Sequence, residues 1–296
     1  MRPILLLLLT LPPLLWGSNA IVGQFAAGSI APITLNFLRW SVALAIIAPF
    51  ALRQIGPHLP TLRAKWKLIL LSGFLGITCY NSLQYLALTT SSALNVSLIG
   101  AATPVFILLS GRMFFGQRIS RLSAGGAVVS LLGVACVLAR GDIARLDSIS
   151  FVPGDLLMLV AAFAWSLYTL LLKQNRTGLP ALVLMAAQFA AGLLFSLPLL
   201  GAEQLWGGYA PITWGWKEIG IVLYVGTMPS LLAYFCWQRA VSQTSAQLPV
   251  FFMNLTPLFT VTMAALMLGE RPQAFHYIGL ALILGGIYLA NRAGKT

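Results

Sequence analysis

The chain has 296 residues, of which 59% are hydrophobic and only 8% are charged. Soluble domains carry about 25% charged residues, so this composition excludes a soluble globular protein and predicts an all-α polytopic membrane protein. The formal net charge is +12, but the basic residues form no separate domain, which argues against nucleic-acid binding.

Ten apolar stretches are long enough to be transmembrane helices, since a helix needs about 20 apolar residues to cross the hydrocarbon core. In chain order they lie approximately at 3–24, 32–52, 67–88, 92–111, 120–139, 153–173, 179–199, 217–238, 243–268 and 273–292. The connections between them are mostly short and leave no room for a soluble catalytic domain.

The first stretch, MRPILLLLLTLPPLLWGSNA, has two interpretations. Arg2 precedes an apolar run, and the tripeptide ending at Ala20 resembles a cleavage site, as in a secretory signal peptide. Two observations favour retention: cleavage would leave nine helices, and Trp16 has a counterpart in Trp165, 149 residues later. We therefore expect this stretch to be the first transmembrane helix.

The second stretch carries a cation, Arg39, about 10 Å from its start at 1.5 Å per residue. A cation at this depth is costly unless it faces the bundle interior or finds a partner. Arg39 either attracts the carboxylate of a substrate or snorkels outward to the interface, and the sequence leaves both readings open. Its counterpart in the second half, at a shift of 149 residues, is Gln188.

The third stretch carries Tyr80, Asn81 and Gln84, and spacings of three and four residues place the first two near the third on one helix face. The corresponding positions of the eighth stretch include Tyr234 and Trp237. One wall of a pathway would then be rich in amides and the opposite wall aromatic. Such walls suit an amphipathic organic solute, because rings stack on its apolar part and amides bind its polar end.

Other polar and aromatic residues at membrane depth complete the predicted substrate-binding set, because such groups mark transport pathways. They are Trp16 and Asn19 in the first helix, Asn95 in the fourth, Trp165 and Tyr168 in the sixth, Gln188 in the seventh and Asn254 in the ninth. The alternative for the aromatic residues is an interfacial belt or helix packing, which accounts for Trp206, Trp214 and Trp216.

Two prolines, Pro104 and Pro257, follow threonines at corresponding positions of the fourth and ninth helices. Each removes a backbone donor and frees a carbonyl four residues earlier, which predicts a helix bend. Glycines seven residues apart on the fifth and tenth helices predict close helix packing. They are Gly126 and Gly133, and Gly279 and Gly286.

Segments 87–118 and 240–271 are copies of one motif, with eight of 32 positions identical in an ungapped alignment. Ten helices divide into two sets of five, and because five is odd, the second set enters the membrane from the opposite side. The sequence therefore predicts two inverted five-helix repeats, at 1–146 and 147–296. Inverted repeats place a substrate site near the bilayer midplane and work by alternating access.

Charge placement predicts the orientation. With a cytoplasmic N-terminus, 13 basic residues fall on the inner side and four on the outer side, and all six acidic residues lie outside. The positive-inside rule therefore predicts that the N- and C-termini are both cytoplasmic.

Motifs of catalysis and metal binding are missing from the sequence. It contains no P-loop, no paired catalytic carboxylates and no zinc signature, and its three cysteines have no metal-ligand spacing. We therefore expect no enzyme activity, no cofactor and no metal. No Asp, Glu or Lys lies at the predicted centre of a helix, which disfavours proton coupling through a buried glutamate of the first helix. A nucleotide sugar as substrate would require several cations in the cavity, and Arg39 is the one cation predicted at this depth.

The chain resembles the drug/metabolite transporter superfamily, in its ten-helix EamA family. The resemblance covers essentially the whole chain and rests on the two five-helix units, the WGSN element at 16–19, and the Gly269-Glu270-Arg271 ending of the ninth helix. The first half departs from this pattern, with Gln117 where the family commonly has glutamate. Helix three, CYNSLQYLAL, and the overall length resemble YddG-type exporters of aromatic and other neutral amino acids.

This resemblance and the candidate residues together predict a secondary transporter that exports neutral, most of all aromatic, amino acids or related metabolites. The alternatives are efflux of multiple drugs or cationic compounds, transport of another metabolite such as a nucleotide sugar, and, more distantly, an intramembrane enzyme. The expected partners are a small neutral or zwitterionic substrate and the lipid bilayer, with a monomer or weak dimer in the bacterial inner membrane.

Overall fold

The computed structural model describes residues 3–116, 119–140, 152–174, 177–243, 252–253 and 255–292. The regular secondary structure of this part of the chain is helical, without a strand. The α-helices are α1 (Pro3–Ala26), α2 (Pro32–Ile55), α3 (Leu59–Ala64), α4 (Trp66–Gly73), α5 (Tyr80–Ala87), α6 (Ala93–Gly100), α7 (Thr103–Phe115), α8 (Arg121–Leu138), α9 (Pro153–Gln174), α10 (Ala181–Trp206), α11 (Trp216–Val225), α12 (Ala233–Gln243), α13 (Leu255–Met263) and α14 (Ala274–Arg292).

Six helical segments of the described chain are long and apolar enough to cross a membrane. They are Pro3–Ala26, Pro32–Ala64, Ala93–Phe115, Pro153–Leu172, Ala181–Trp206 and Trp216–Ala240. Three further apolar helices are shorter: Arg121–Val137, Leu255–Leu268 and Ala274–Leu289. The molecule is an all-helical polytopic membrane protein. The count of ten spans, the inverted repeat and the side of the termini stay predictions, and the predicted boundary between residues 146 and 147 lies outside the described residues.

Two π-helical segments interrupt the runs that were predicted as the third and eighth helices. Segment π1 (Phe74–Cys79) lies between α4 and α5, and segment π2 (Gly226–Leu232) lies between α11 and α12. They occupy corresponding positions, since residue 74 plus the shift of 153 is residue 227. A π-helical turn leaves the regular i to i−4 bonding pattern and is frequent at functional sites. A third segment, π3 (Ala264–Leu268), follows α13.

The two copies of the repeated motif end their helices in the same way. Gly116 caps α7 with a φ of 63°, and Gly269 caps π3 with a φ of 67°. This left-handed conformation is open to glycine at no steric cost and terminates helices.

The two predicted proline bends have different surroundings. A two-residue turn separates α6 from α7 just before Pro104, and the hydroxyl of Thr103 donates to the Gly100 carbonyl at 2.6 Å. That carbonyl is the one that Pro104 leaves without its helical donor, so the threonine satisfies it. Pro257 lies in α13, and residue 254 just before this helix is outside the described residues, so the bend at Pro257 stays a prediction.

The end of the bundle at which α2, α6 and α9 begin, called here the acidic end, is held together by three carboxylates. Glu203 of α10 accepts hydrogen bonds from the backbone N–H groups of Ile33 and Thr34, both at 2.7 Å, and from the Thr34 hydroxyl at 2.7 Å. Ile33 and Thr34 lie in the first turn of α2. A carboxylate is favourable there because the N-terminal N–H groups are unpaired and the helix dipole is positive.

The other two carboxylates bind near the start of α6. The backbone N–H groups of Ala93 and Leu94 favour the charged form of Glu270, and Asp155 of α9 accepts from the Ser91 hydroxyl. Burial raises the pKa of Glu270, and the two N–H donors act in the opposite direction. Helix α6 is thereby fastened to residues from the second half of the chain.

Helices α8 and α14 pack with their backbones in contact. A Cβ atom added at Gly133 would lie 2.7 Å from the Gly279 carbonyl and 2.9 Å from atoms of Ile283. The close packing predicted from the glycine spacing is confirmed.

We expect Gly133→Leu to lower thermal stability, because the leucine would force α8 and α14 apart at a cost of about 2 kcal/mol. The measurement is the melting temperature of purified protein in detergent. Gly125→Leu is the matched control on the same helix, since a Cβ atom there meets nothing within 4 Å. Equal melting temperatures of the two variants would contradict the packing.

Candidate substrate-binding cavity

A cavity lies among helices α1, α2, α5, α6, α7, α9, α12 and α13. The cavity extends from Asn19 and Arg39 to Trp237. Asn19 lies seven residues before the end of α1, and Arg39 lies seven residues after the start of α2, so both are near the acidic end. Trp237 lies six residues before the last residue of α12, on the side of the opposite end. The cavity therefore passes through the middle of the bundle. Its walls come from both halves of the sequence.

Arg39 is buried in the bundle, with 1% of its surface exposed, and it lines the cavity. Its Nε donates to the Ser230 hydroxyl at 2.7 Å, and its Nη1 donates to Asn81 Oδ1 at 3.0 Å and to the Tyr85 hydroxyl at 2.9 Å. A longer contact of 3.4 Å joins Nη1 to Asn19 Oδ1. The guanidinium carbon also lies 4.9 Å from the centre of the Trp40 ring. Arg39 therefore points inward and does not snorkel to the interface.

The two π-helical segments position the partners of Arg39. Asn81, just after π1, donates through Nδ2 to the Gly76 carbonyl at 2.7 Å. Ser230, within π2, donates to the Val225 carbonyl at 2.7 Å. Both are bonds over five residues, so they use carbonyls that the π-helical geometry presents. One buried cation is thus held by corresponding segments of the two halves.

The partners of Arg39 are all neutral. Each described carboxylate lies elsewhere: Glu203, Asp155 and Glu270 bind groups at the acidic end, and Glu218 lies in the first turn of α11. A buried charge without a counter-ion is costly. The cavity therefore carries a positive charge that an anionic group could neutralise.

An aromatic cluster forms the wall opposite the amides. Trp16 lies at its centre, with ring centroids 6.1 Å from Trp165, 6.0 Å from Tyr234 and 5.5 Å from Trp237. Tyr80 lies against Trp165 at 4.8 Å. The indole N–H of Trp16 is satisfied by a carbonyl of π2 at 3.1 Å. Polarisable ring faces of this kind bind the apolar part of an organic molecule.

The structure brings most of the predicted site residues to the cavity. Those that line it are Trp16, Asn19, Arg39, Tyr80, Asn81, Gln84, Trp165, Tyr234 and Trp237. Tyr168 instead packs beside Trp165, with ring centroids 4.9 Å apart, and Gln188 donates to Ser72 at 3.0 Å between α10 and α4. Asn95 is buried in the first turn of α6, away from the lining, and Asn254 lies outside the described residues.

Two partners of Arg39, Tyr85 and Ser230, were not predicted. Tyr85 lies four residues after Asn81, so the same-face rule could have found it. Ser230 carries no signal of its own, because serine is common in membrane helices and only the π-helical geometry turns it toward Arg39. A hydroxyl pair, Ser97 and Thr260, also lines the cavity and joins the two halves by a 3.0 Å hydrogen bond.

A polytopic helical fold around a central cavity with one buried cation and an aromatic wall defines a membrane transporter of small solutes. The EamA-like transporter family model matches this chain twice, over residues 3–139 and 152–292. The chain belongs to the EamA-like transporter family. Its role is therefore transport and not catalysis.

Named relatives agree with this family. An uncharacterized transporter of Archaeoglobus fulgidus is 28% identical over 286 residues, covering 96% of each chain. A "Probable terminal-alkyne amino-acid exporter" of Streptantibioticus cattleyicolor is 29% identical over 252 residues, covering 85% of this chain and 80% of that protein. A solved crystal structure superimposes with a TM-score of 0.67 at 23% identity over the full length of both chains, which supports the fold alone.

Proposed function

We propose that this protein is a secondary transporter that exports neutral amino acids, aromatic ones among them, or similar small carboxylates across the bacterial inner membrane. The observation that carries the proposal is the buried, unneutralised Arg39 facing the same cavity as the aromatic cluster. Arg39 would bind the substrate carboxylate, and the rings around Trp16 would bind its side chain. The printed name of the Streptantibioticus relative supports an amino-acid substrate.

Alternating access fits the arrangement of the two ends of the bundle. Beyond the cavity residues Asn19 and Gln84, toward the acidic end, lie buried apolar residues such as Ile21, Ile30 and Leu88 and the carboxylate contacts of Glu203 and Asp155. The positive-inside rule assigns this end to the outside. The conformation is then closed to the outside, and export requires this end to open.

We also propose the repeat organisation, the membrane orientation and the oligomeric state that the sequence predicts. These are two inverted five-helix repeats at 1–146 and 147–296, both termini in the cytoplasm, and a monomer or weak dimer without cofactor. The two matches of the family model and the corresponding positions of π1 and π2 support the repeat.

A flux assay tests the function directly. Purified protein in liposomes should take up labelled phenylalanine, tryptophan, methionine or threonine, measured with and without a proton gradient, against protein-free liposomes as the control. Flux of a cationic dye without flux of any neutral amino acid or carboxylate would favour the alternative of drug efflux. Arg39 argues against that alternative, because a buried cation repels cationic cargo.

A further inference from the structure

We propose that the cavity recognises a carboxylate and that its described lining offers no counter-charge to an amine, so that its preferred substrates are organic monoanions with an apolar or aromatic body. Amino acids would then be carried by virtue of their carboxylate, and their amino group would weaken binding. This inference rests on the proposed transport function, because it concerns the same cavity. It follows from the charges and acceptors that line that cavity.

The charge of the cavity lining favours an anionic substrate. Arg39 is the one ionised side chain among the described residues that line the cavity. A bound monoanion makes the site neutral, whereas a bound zwitterion leaves one positive charge without a counter-ion in a poorly solvated space.

The amide oxygens on the cavity wall bind neighbouring side chains. An ammonium group needs acceptors, and each of the three amide oxygens on the described cavity wall already accepts at least one hydrogen bond from a neighbouring side chain. Asn81 Oδ1 accepts from Arg39, Asn19 Oδ1 accepts from the Tyr85 hydroxyl at 2.8 Å, and Gln84 Oε1 accepts from Asn19 at 3.3 Å. For an amine the described wall leaves the second lone pair of Asn81 Oδ1 and of Gln84 Oε1, hydroxyls and ring faces, all of them neutral, and such contacts replace only part of its lost hydration.

One nitrogen of the Arg39 guanidinium makes no hydrogen bond to a described residue. The hydrogen bonds of Arg39 to described residues use Nε and Nη1, and Nη2 makes none of them. A planar guanidinium binds carboxylates through such terminal N–H groups in charge-assisted bonds. The described cavity wall thus offers an anion both an opposite charge and a donor, and it offers a cation no opposite charge.

The test is a binding series with three ligands that share a phenyl body: 3-phenylpropionate, phenylalanine and phenethylamine. We expect isothermal titration of the purified protein at pH 7.5 to show 3-phenylpropionate binding at least about tenfold more tightly than phenylalanine, an affinity difference of about 1.4 kcal/mol. Phenethylamine should not compete with either. In Arg39→Gln, the preference for 3-phenylpropionate should be lost.

The wild-type series decides the inference even if the Arg39 variant does not fold. Phenylalanine binding as tightly as 3-phenylpropionate, or phenethylamine competing with phenylalanine, would overturn it. If liposomes transport phenylalanine but the protein does not bind 3-phenylpropionate, only this inference fails. Absence of binding by all three ligands, together with absence of flux, would overturn the proposed function as well.

Discussion

Arg39→Ala is expected to reduce the affinity for a carboxylate substrate by about 100-fold, because a hydrogen bond to a charged group contributes about 2–3 kcal/mol. The substitution also leaves the oxygens of Asn81, Tyr85 and Ser230 without their donor. The measurement is the concentration dependence of flux into liposomes. Arg39→Lys should recover only part of the affinity, since an ammonium cannot bridge these three groups and the substrate in the same plane.

Gln188→Ala is the matched control for this substitution. Gln188 is as buried as Arg39 and is also hydrogen-bonded, but its partner is Ser72 and it does not line the cavity. We expect Gln188→Ala to lower the melting temperature and to leave the substrate affinity within about twofold, since removing one neutral hydrogen bond costs stability of about 1 kcal/mol. Wild-type affinity in Arg39→Ala would remove Arg39 from the site.

Glu203→Ala is expected to destabilise the protein by about 3 kcal/mol. The glutamate is 8% exposed and accepts three hydrogen bonds from the first turn of α2. Its removal leaves the N–H groups of Ile33 and Thr34 buried without acceptors, and each such group costs about 1–3 kcal/mol. The melting temperature in detergent measures the effect.

Two further variants make this prediction specific. Leu205→Ala lies two residues along the same helix and is 74% exposed, so it should leave the melting temperature unchanged. Glu203→Gln keeps one acceptor oxygen and should lose about half as much stability as the alanine variant, because a neutral amide binds N–H groups more weakly than a carboxylate. Equal stability of Glu203→Ala and Leu205→Ala would show that the contact with α2 contributes nothing.

Much of the site was predictable because polar residues in apolar helices have few stable positions. Arg39, Asn81 and Gln84 had to face the interior or the interface, and the structure places them at the cavity. The aromatic set around Trp16 followed from the correspondence of the two halves. The helices themselves could be predicted, because the sequence contains apolar stretches long enough to span a membrane.

The other features of the site depend on how each helix is rotated about its axis and on contacts between residues far apart in the chain. A single sequence specifies neither. Gln188 corresponds to Arg39 in the repeat, yet it donates to Ser72 and does not line the cavity. The contact between Glu203 and α2 joins residues about 170 positions apart, and neither partner has a local pattern that reveals it. Pro229 lies inside π2 and marks a departure from a regular helix in the sequence, but π1 contains no proline, and neither segment reveals the direction in which Ser230 faces.

The two π-helical segments make the geometry of the site depend on the number of residues in the chain as well as on their identity. A π-helical turn holds one residue more than an α-helical turn, so deleting one residue from π1 would allow the helix to become regular. The helix beyond the turn would keep its register, but the Gly76 carbonyl would no longer be presented to the Asn81 side chain across five residues. The same deletion in π2 would remove the corresponding bond from Ser230 to the Val225 carbonyl. Relatives that keep this cavity should therefore show no insertions or deletions in either segment, even where the residues themselves differ.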